Sequence, residues 1–151
     1  MSEQQDRNPW VWRGSELFDS RGAVIAYVAV NVLNVGDQRL LIEHAVGPMQ
    51  FRLRATSPQG EVGTVVQSGF TVTTLVADCN GRHYKLARTS PWRKERRILD
   101  ARGKVVATVA PRGNDLVVAG GPAVKEYPLD DLVFLTWACT LVDVPGRRTK
   151  T

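Results

Sequence analysis

The densest chemistry in the chain lies in RTSPWRKERR, residues 88–97. Arg88 opens it, and Arg93, Lys94, Arg96 and Arg97 follow Trp92, which stands beside Pro91 in a predicted loop. Guanidinium and ammonium groups satisfy phosphate or carboxylate charge, and an indole is at home at a lipid headgroup interface. Each well-placed cation near an anionic bilayer contributes about 1 kcal/mol. The segment sits inside a longer basic block. From Arg82 to Lys104, nine Lys or Arg oppose Glu95 and Asp100, a local balance of +7 in a chain of net charge +5. The remainder therefore sums to −2, and concentrated charge of this kind marks a face rather than a generally basic protein. The plainer reading is a solvated strand pair whose cations aid solubility, with Trp92 folded back over one end of the fold. Nucleic-acid phosphate is the least favoured target.

Other residues offer less. His44 and His83 stand in no nucleophile motif, and the chain has no H-x-x-x-H or C-x-x-C spacing, so no metal or other cofactor is expected. Cys79 and Cys139 are too few and too far apart for a disulfide framework, and are expected to be reduced structural residues. Asp130 and Asp131 resemble paired carboxylates for acid–base work, but a helix start explains them more simply. Gly120-Gly121-Pro122 is a turn and not a phosphate loop, since no GKS or GKT follows. Thr136 and Thr140 lie four apart on one helix face and are expected to bond back to the helix backbone. A small buried polar pocket around them is the sharper alternative. No residue is expected to be catalytic.

The elements that must position these residues are short strands followed by one helix. A phrase of apolar residues, a turn built on Asp or Ser with Gly, and further apolar residues recurs at 17–28, 51–66, 75–87 and 97–109. Gly60, Gly81 and Gly103 are spaced 21 and 22 residues apart, with further turns at 34–39 and 111–115. Such turns need positive φ and local Asp or Asn bonding. They imply about ten to twelve strands of ordinary length. AVIAYVAVNVLN, 23–34, reads as one strand buried on both faces. In KVVATV, Val105, Ala107 and Val109 are expected on one face, with Val106 and Thr108 on the other. Trp10 and Trp12 share a side of the first strand, and are expected to close one barrel end or cover its rim.

LVFLTWACTLV, 132–142, is polar only at Thr136 and Thr140. A helix apolar on every side must be surrounded on every side. At about 1.5 Å per residue it covers roughly 16 Å, against a bilayer core of about 30 Å, so it is too short to span a membrane. Pro128 and the two aspartates mark its start, and Pro145-Gly146 its end. A long antiparallel sheet must manage its edges, closure removes them, and a barrel of about twelve strands needs filling. The apolar helix is the fitting plug.

Repeated D-x-x-G hairpins followed by PLDDLVFLTWACTLVD resemble the LURP-one-related proteins, which share a superfamily with phospholipid scramblases and the tubby C-terminal domain. The resemblance covers roughly residues 12–143 and rests on structural motifs of moderate specificity. It implies a mainly β fold, a closed antiparallel barrel of about twelve strands around a central hydrophobic helix. Tubby domains bind phosphoinositides through basic side chains, but no specific residue here inherits that role. The chain has no cysteine-rich acylation stretch and no acidic calcium-binding stretch, and eight residues follow Asp143; scramblase activity is not implied.

The expected organisation is a disordered N-terminus (1–9), a tubby-like barrel domain (10–144) with its central helix at about 129–143, and a basic disordered tail (145–151). MSEQQDRN lacks the pattern of a secretion signal, so a cytoplasmic protein, peripheral to the membrane, is expected. Its expected role is a non-enzymatic binding or scaffold module. Its basic face, Arg88, Trp92, Arg93, Lys94, Arg96 and Arg97, would be directed at anionic phospholipid headgroups or an acidic protein. The alternatives are a carrier or enzyme with a small-molecule pocket between helix and barrel wall, and a structural homo-oligomer.

Overall fold

A computed structural model of the chain describes residues 9–46 and 50–145. The strands are β1 (Trp10–Arg13), β2 (Glu16–Phe18), β3 (Val24–Ala29), β4 (Val32–Val35), β5 (Gln38–Val46) and β6 (Phe51–Thr56). They continue as β7 (Val62–Gln67), β8 (Thr74–Cys79), β9 (Arg82–Ser90), β10 (Arg93–Asp100), β11 (Val105–Arg112) and β12 (Asp115–Gly120). A 3-10 turn at Val124–Glu126 leads into α1 (Leu129–Asp143). Every strand pairs antiparallel with its sequence neighbours, and β1 pairs with β12, so the sheet closes into a twelve-strand barrel.

Alternating strand direction sorts the connections onto two rims. One rim, here the lower, carries the turns at 19–23, 36–37, 57–61, 80–81 and 101–104. The upper rim carries those at 14–15, 30–31, 68–73, 91–92 and 113–114, with the β5–β6 connection. Four lower turns share one chemistry. Asp19 and Asp100 each accept two backbone N–H groups through Oδ1, Asp78 accepts that of Gly81, and Ser57 accepts that of Glu61. The glycine three residues on has positive φ in each, as at Gly60, Gly81 and Gly103. The D-x-x-G phrase is therefore the signature of one rim.

The helix runs inside the wall, from lower rim to upper. Every residue from Asp131 to Thr140 is buried, nearly three full turns and hence all helix faces. Each large apolar side chain removed from water in this way contributes about 1.5–3 kcal/mol. The wall approaches closely: a Cβ on Gly63 of β7 would lie 3.1 Å from the Phe134 ring.

Three local expectations are corrected. Residues 23–34 are not one strand but the hairpin β3–β4, because Val30 and Asn31 take φ of 49° and 61° and reverse the chain. In β11, Val106 and Ala107 are both buried, because the register with β10 slips between Ile98 and Leu99 and interrupts the alternation. Trp12 does not cover a rim. It is buried, donates from Nε1 to Thr136 Oγ1 at 2.8 Å and packs on Trp137 at 5.0 Å between ring centroids, whereas Trp10 is half-buried. The segments expected to be disordered, apart from Pro9 and Pro145, lie outside the described residues.

Candidate functional site

The β9–β10 hairpin divides the six expected anion-binding residues into two groups. Trp92 is 91 % exposed at its tip, and Arg93, Lys94 and Arg97 are exposed beside and below it. Arg96 points the other way. Its guanidinium is 0 % exposed, donating from Nε to Asp143 Oδ2 at 2.5 Å and from Nη2 to Asp143 Oδ1 at 3.0 Å. Nη2 also donates to Val72 O at 2.6 Å, and Nη1 to Thr73 O and Leu86 O, both at 3.2 Å. A guanidinium has five N–H donors, so none remains for a ligand. Arg88, its side chain 19 % exposed, donates to the same Asp143 Oδ1 at 3.0 Å.

Arg96 and Arg88 are thus withdrawn from the anion-facing set, and their work is structural. Asp143 closes the helix at its C-terminus, where negative charge opposes the helix dipole, and two cations compensate it there. Through the carbonyls of Val72 and Thr73, Arg96 also fastens the β7–β8 connection to the base of the β9–β10 hairpin. Sequence reasoning missed this because a cation in a strand reads as exposed. Apart from its place among apolar residues, nothing marks Asp143 as its partner.

The fastening brings together a corner that the sequence does not announce. Phe70, in the β7–β8 connection, is 89 % exposed and stands on the hairpin next to Trp92. Gln67 shapes its loop, accepting from Phe51 N and donating to Gly69 O at 3.1 Å each. Arg52, beside this loop on β6, is exposed as well. The half-buried Glu95 accepts from Thr89 Oγ1 at 3.1 Å. The upper corner over β6–β10 therefore shows two aromatic tips among four exposed cations, Arg52, Arg93, Lys94 and Arg97.

The lower end of the helix is tethered differently. Asp131 accepts a bidentate pair from Arg82, at 2.7 and 3.0 Å, and a bond from Tyr84 Oη at 2.5 Å. Burial, and then this bond to Asp131, hold the Tyr84 hydroxyl well above its ordinary pKa. Tyr127, edge-on to Tyr84, donates to Asp100 at 2.6 Å. That bond leads the causes that lower the Asp100 carboxyl below its usual value. Nearby, a recess of about 230 Å³ is lined by Glu61, Cys79, Arg82, Asp130 and Phe134. Burial, then the charge of Asp131, raises the Asp130 carboxyl.

The two helix threonines do as expected. Thr140 donates to Thr136 O, and Thr136 to Val133 O, at 3.1 Å each. Both are buried, with Thr136 also accepting from Trp12. The two cysteines are buried and free, and burial pushes the Cys139 thiol up to about 12, far from a reactive thiolate. Among the described residues, no group of three His, Cys, Asp or Glu could hold a metal ion, and no helix is long and apolar enough to cross a membrane.

Fold and site define a closed antiparallel barrel with an internal helix and one aromatic, basic corner. Comparison with family models, with curated proteins and with solved structures returns no match.

Proposed function

We propose that this barrel is a non-enzymatic binding or scaffold module of the LURP-one-related type, engaging an anionic partner through the outer face of its β9–β10 hairpin. The observation that carries the reading is a division of labour in one hairpin. Arg88 and Arg96 are spent on Asp143, whereas Arg93, Lys94 and Arg97 stand exposed around a bare indole. Interior cations hold the presenting scaffold still, and exterior ones are left to meet phosphate or carboxylate. The family proposal is supported by the order of elements, twelve strands and then one enclosed C-terminal helix.

The test is retention on immobilised heparin, a soluble polyanion, at rising salt. Arg93→Glu with Lys94→Glu is expected to remove most salt-sensitive retention, while the thermal unfolding midpoint stays near that of the parent. Unchanged elution would overturn the reading. The carrier alternative draws on one observation, the recess at the lower rim, lined by both apolar and charged residues. A thermal-shift screen with nucleotides and acyl chains would reveal a ligand there.

A further inference from the structure

Phe70 and Trp92 are about nine-tenths exposed, which is unusual for rings of this size in a protein with a completed core. They occupy neighbouring hairpins of the same rim, and the five bonds of Arg96 set the two loops in fixed relation. An apolar protein–protein contact is ordinarily a broad patch that desolvates as one surface. Here the rings stand on the tips of two separate loops, and exposed cations flank them on β6 and β10. That arrangement suits a boundary with depth, where charge is met first and hydrocarbon lies just beneath.

We infer that the upper corner seats the barrel on an anionic bilayer surface, with Trp92 and Phe70 entering the headgroup–acyl boundary and Arg52, Arg93, Lys94 and Arg97 meeting lipid phosphate and carboxylate. This rests on the basic-face reading above and narrows its partner to a membrane. Neither attraction suffices alone. A few cations give weak, salt-sensitive association, and two partly inserted rings give little affinity to a neutral surface. Together they fix both affinity and orientation, since a corner contact leaves the lower rim facing the solvent.

Val30 supplies an internal control. It is as exposed as the two rings, at 92 %, but sits on the β3–β4 hairpin across the barrel. Mere apolarity at a loop tip predicts that it contributes to binding, whereas the corner predicts that it does not.

The experiment is co-sedimentation of the full chain with phosphatidylcholine vesicles containing zero to 40 mole per cent phosphatidylserine. It is paired with quenching of tryptophan emission by lipid brominated on the acyl chain. The parent is expected to bind in proportion to phosphatidylserine and to be quenched. Phe70→Ser with Trp92→Ala should weaken binding about tenfold, as should Arg93→Glu with Lys94→Glu. Trp92→Phe should keep most binding and lose most quenching, because the other three tryptophans lie on β1 and α1. Val30→Asn should bind like the parent.

Parent protein that binds without being quenched, or binding that survives loss of both rings, would show a purely electrostatic contact; the insertion fails and the basic-face reading stands. Charge-dependent retention on heparin with no vesicle binding has the same consequence and points to an acidic protein. If neither heparin nor vesicles respond to the charge reversals, both readings fail together.

Discussion

The two rims of this barrel are made of different turns. Below, the connections are polar and built from residues that favour reversal, with Asn80-Gly81 at φ of 52° and 93° the clearest case. Above, the same two-residue geometry between β3 and β4 is filled by Val30-Asn31, and a β-branched residue at positive φ is a strained choice. The upper rim also has favoured turns, Gly14-Ser15 and Gly113-Asn114, with glycine φ of 60° and 62°, so Val30-Asn31 is the exception there. The helix tethers differ between the rims. Asp143 is sealed between two arginines above, while Asp131 is held below by Arg82, whose side chain is 39 % exposed. The lesson is that the helix is clamped dry at its upper end and held partly in water at its lower one.

The sharpest way to break that contrast is to remove each helix tether in turn. Asp143→Ala leaves Arg96 charged, dry and uncompensated, and should cost about 3–5 kcal/mol in urea unfolding. Replacing the pair together, Arg96→Met with Asp143→Leu, should recover much of the loss, because no orphan charge remains. Asp131→Asn should cost less, about 1–2 kcal/mol, since Arg82 can turn to water and Tyr84 keeps an acceptor. Equal losses at the two ends would erase the distinction.

Turn substitutions sharpen it with opposite signs. Val30→Asn relieves strain and apolar exposure, and should stabilise by about 1 kcal/mol. Gly81→Ala meets no steric obstruction, yet at φ of +93° it should destabilise by about the same amount. Chemical denaturation of the two variants beside the parent decides it.

The smallest effects lie in the pH dependence of the lower rim. The folded chain holds the Asp130 proton more tightly than the unfolded chain, chiefly through burial, so the ionised form weighs against the fold at neutral pH. Asp130→Asn should therefore stabilise at pH 7, and the gain should vanish as pH falls below the unfolded carboxyl value of about 3.9. Asp100 has the opposite sign. Tyr127 and two backbone N–H groups favour its carboxylate, so its contribution exists above that value and is lost as pH falls through the lower folded one. Asp100→Asn should be destabilising at pH 7 and neutral in acid. Thermal melts from pH 3 to 7 test both.

Much of the fold was legible because it rests on local chemistry. The turns at Gly60, Gly81 and Gly103, the closure implied by many strands, and a helix apolar on all sides each follow from residues close in sequence. Legibility failed where a turn lacked its usual residues. Val30-Asn31 hid a hairpin inside an apolar run, and the SGFTVT segment around Phe70 showed no sign of a presenting loop. Within the candidate site, Trp92, Arg93, Lys94 and Arg97 were legible as a basic, aromatic group. Arg88 and Arg96 were grouped with them because a cation in a strand reads as exposed, although Arg96 alternates with the buried Ile98 and Asp100, and Arg88 with the buried Leu86 and Tyr84.

The sequence by itself determined the lower rim, the strand count and the need to enclose 132–142, since turn preference and hydrophobic burial act over a few residues. Tertiary structure alone decided which arginines face inward and that Phe70 stands on the hairpin beside Trp92. It also decided that Asp143, 47 residues from Arg96, anchors the corner. Those outcomes depend on closure and register, which bring distant residues together and are written in no single stretch of chain.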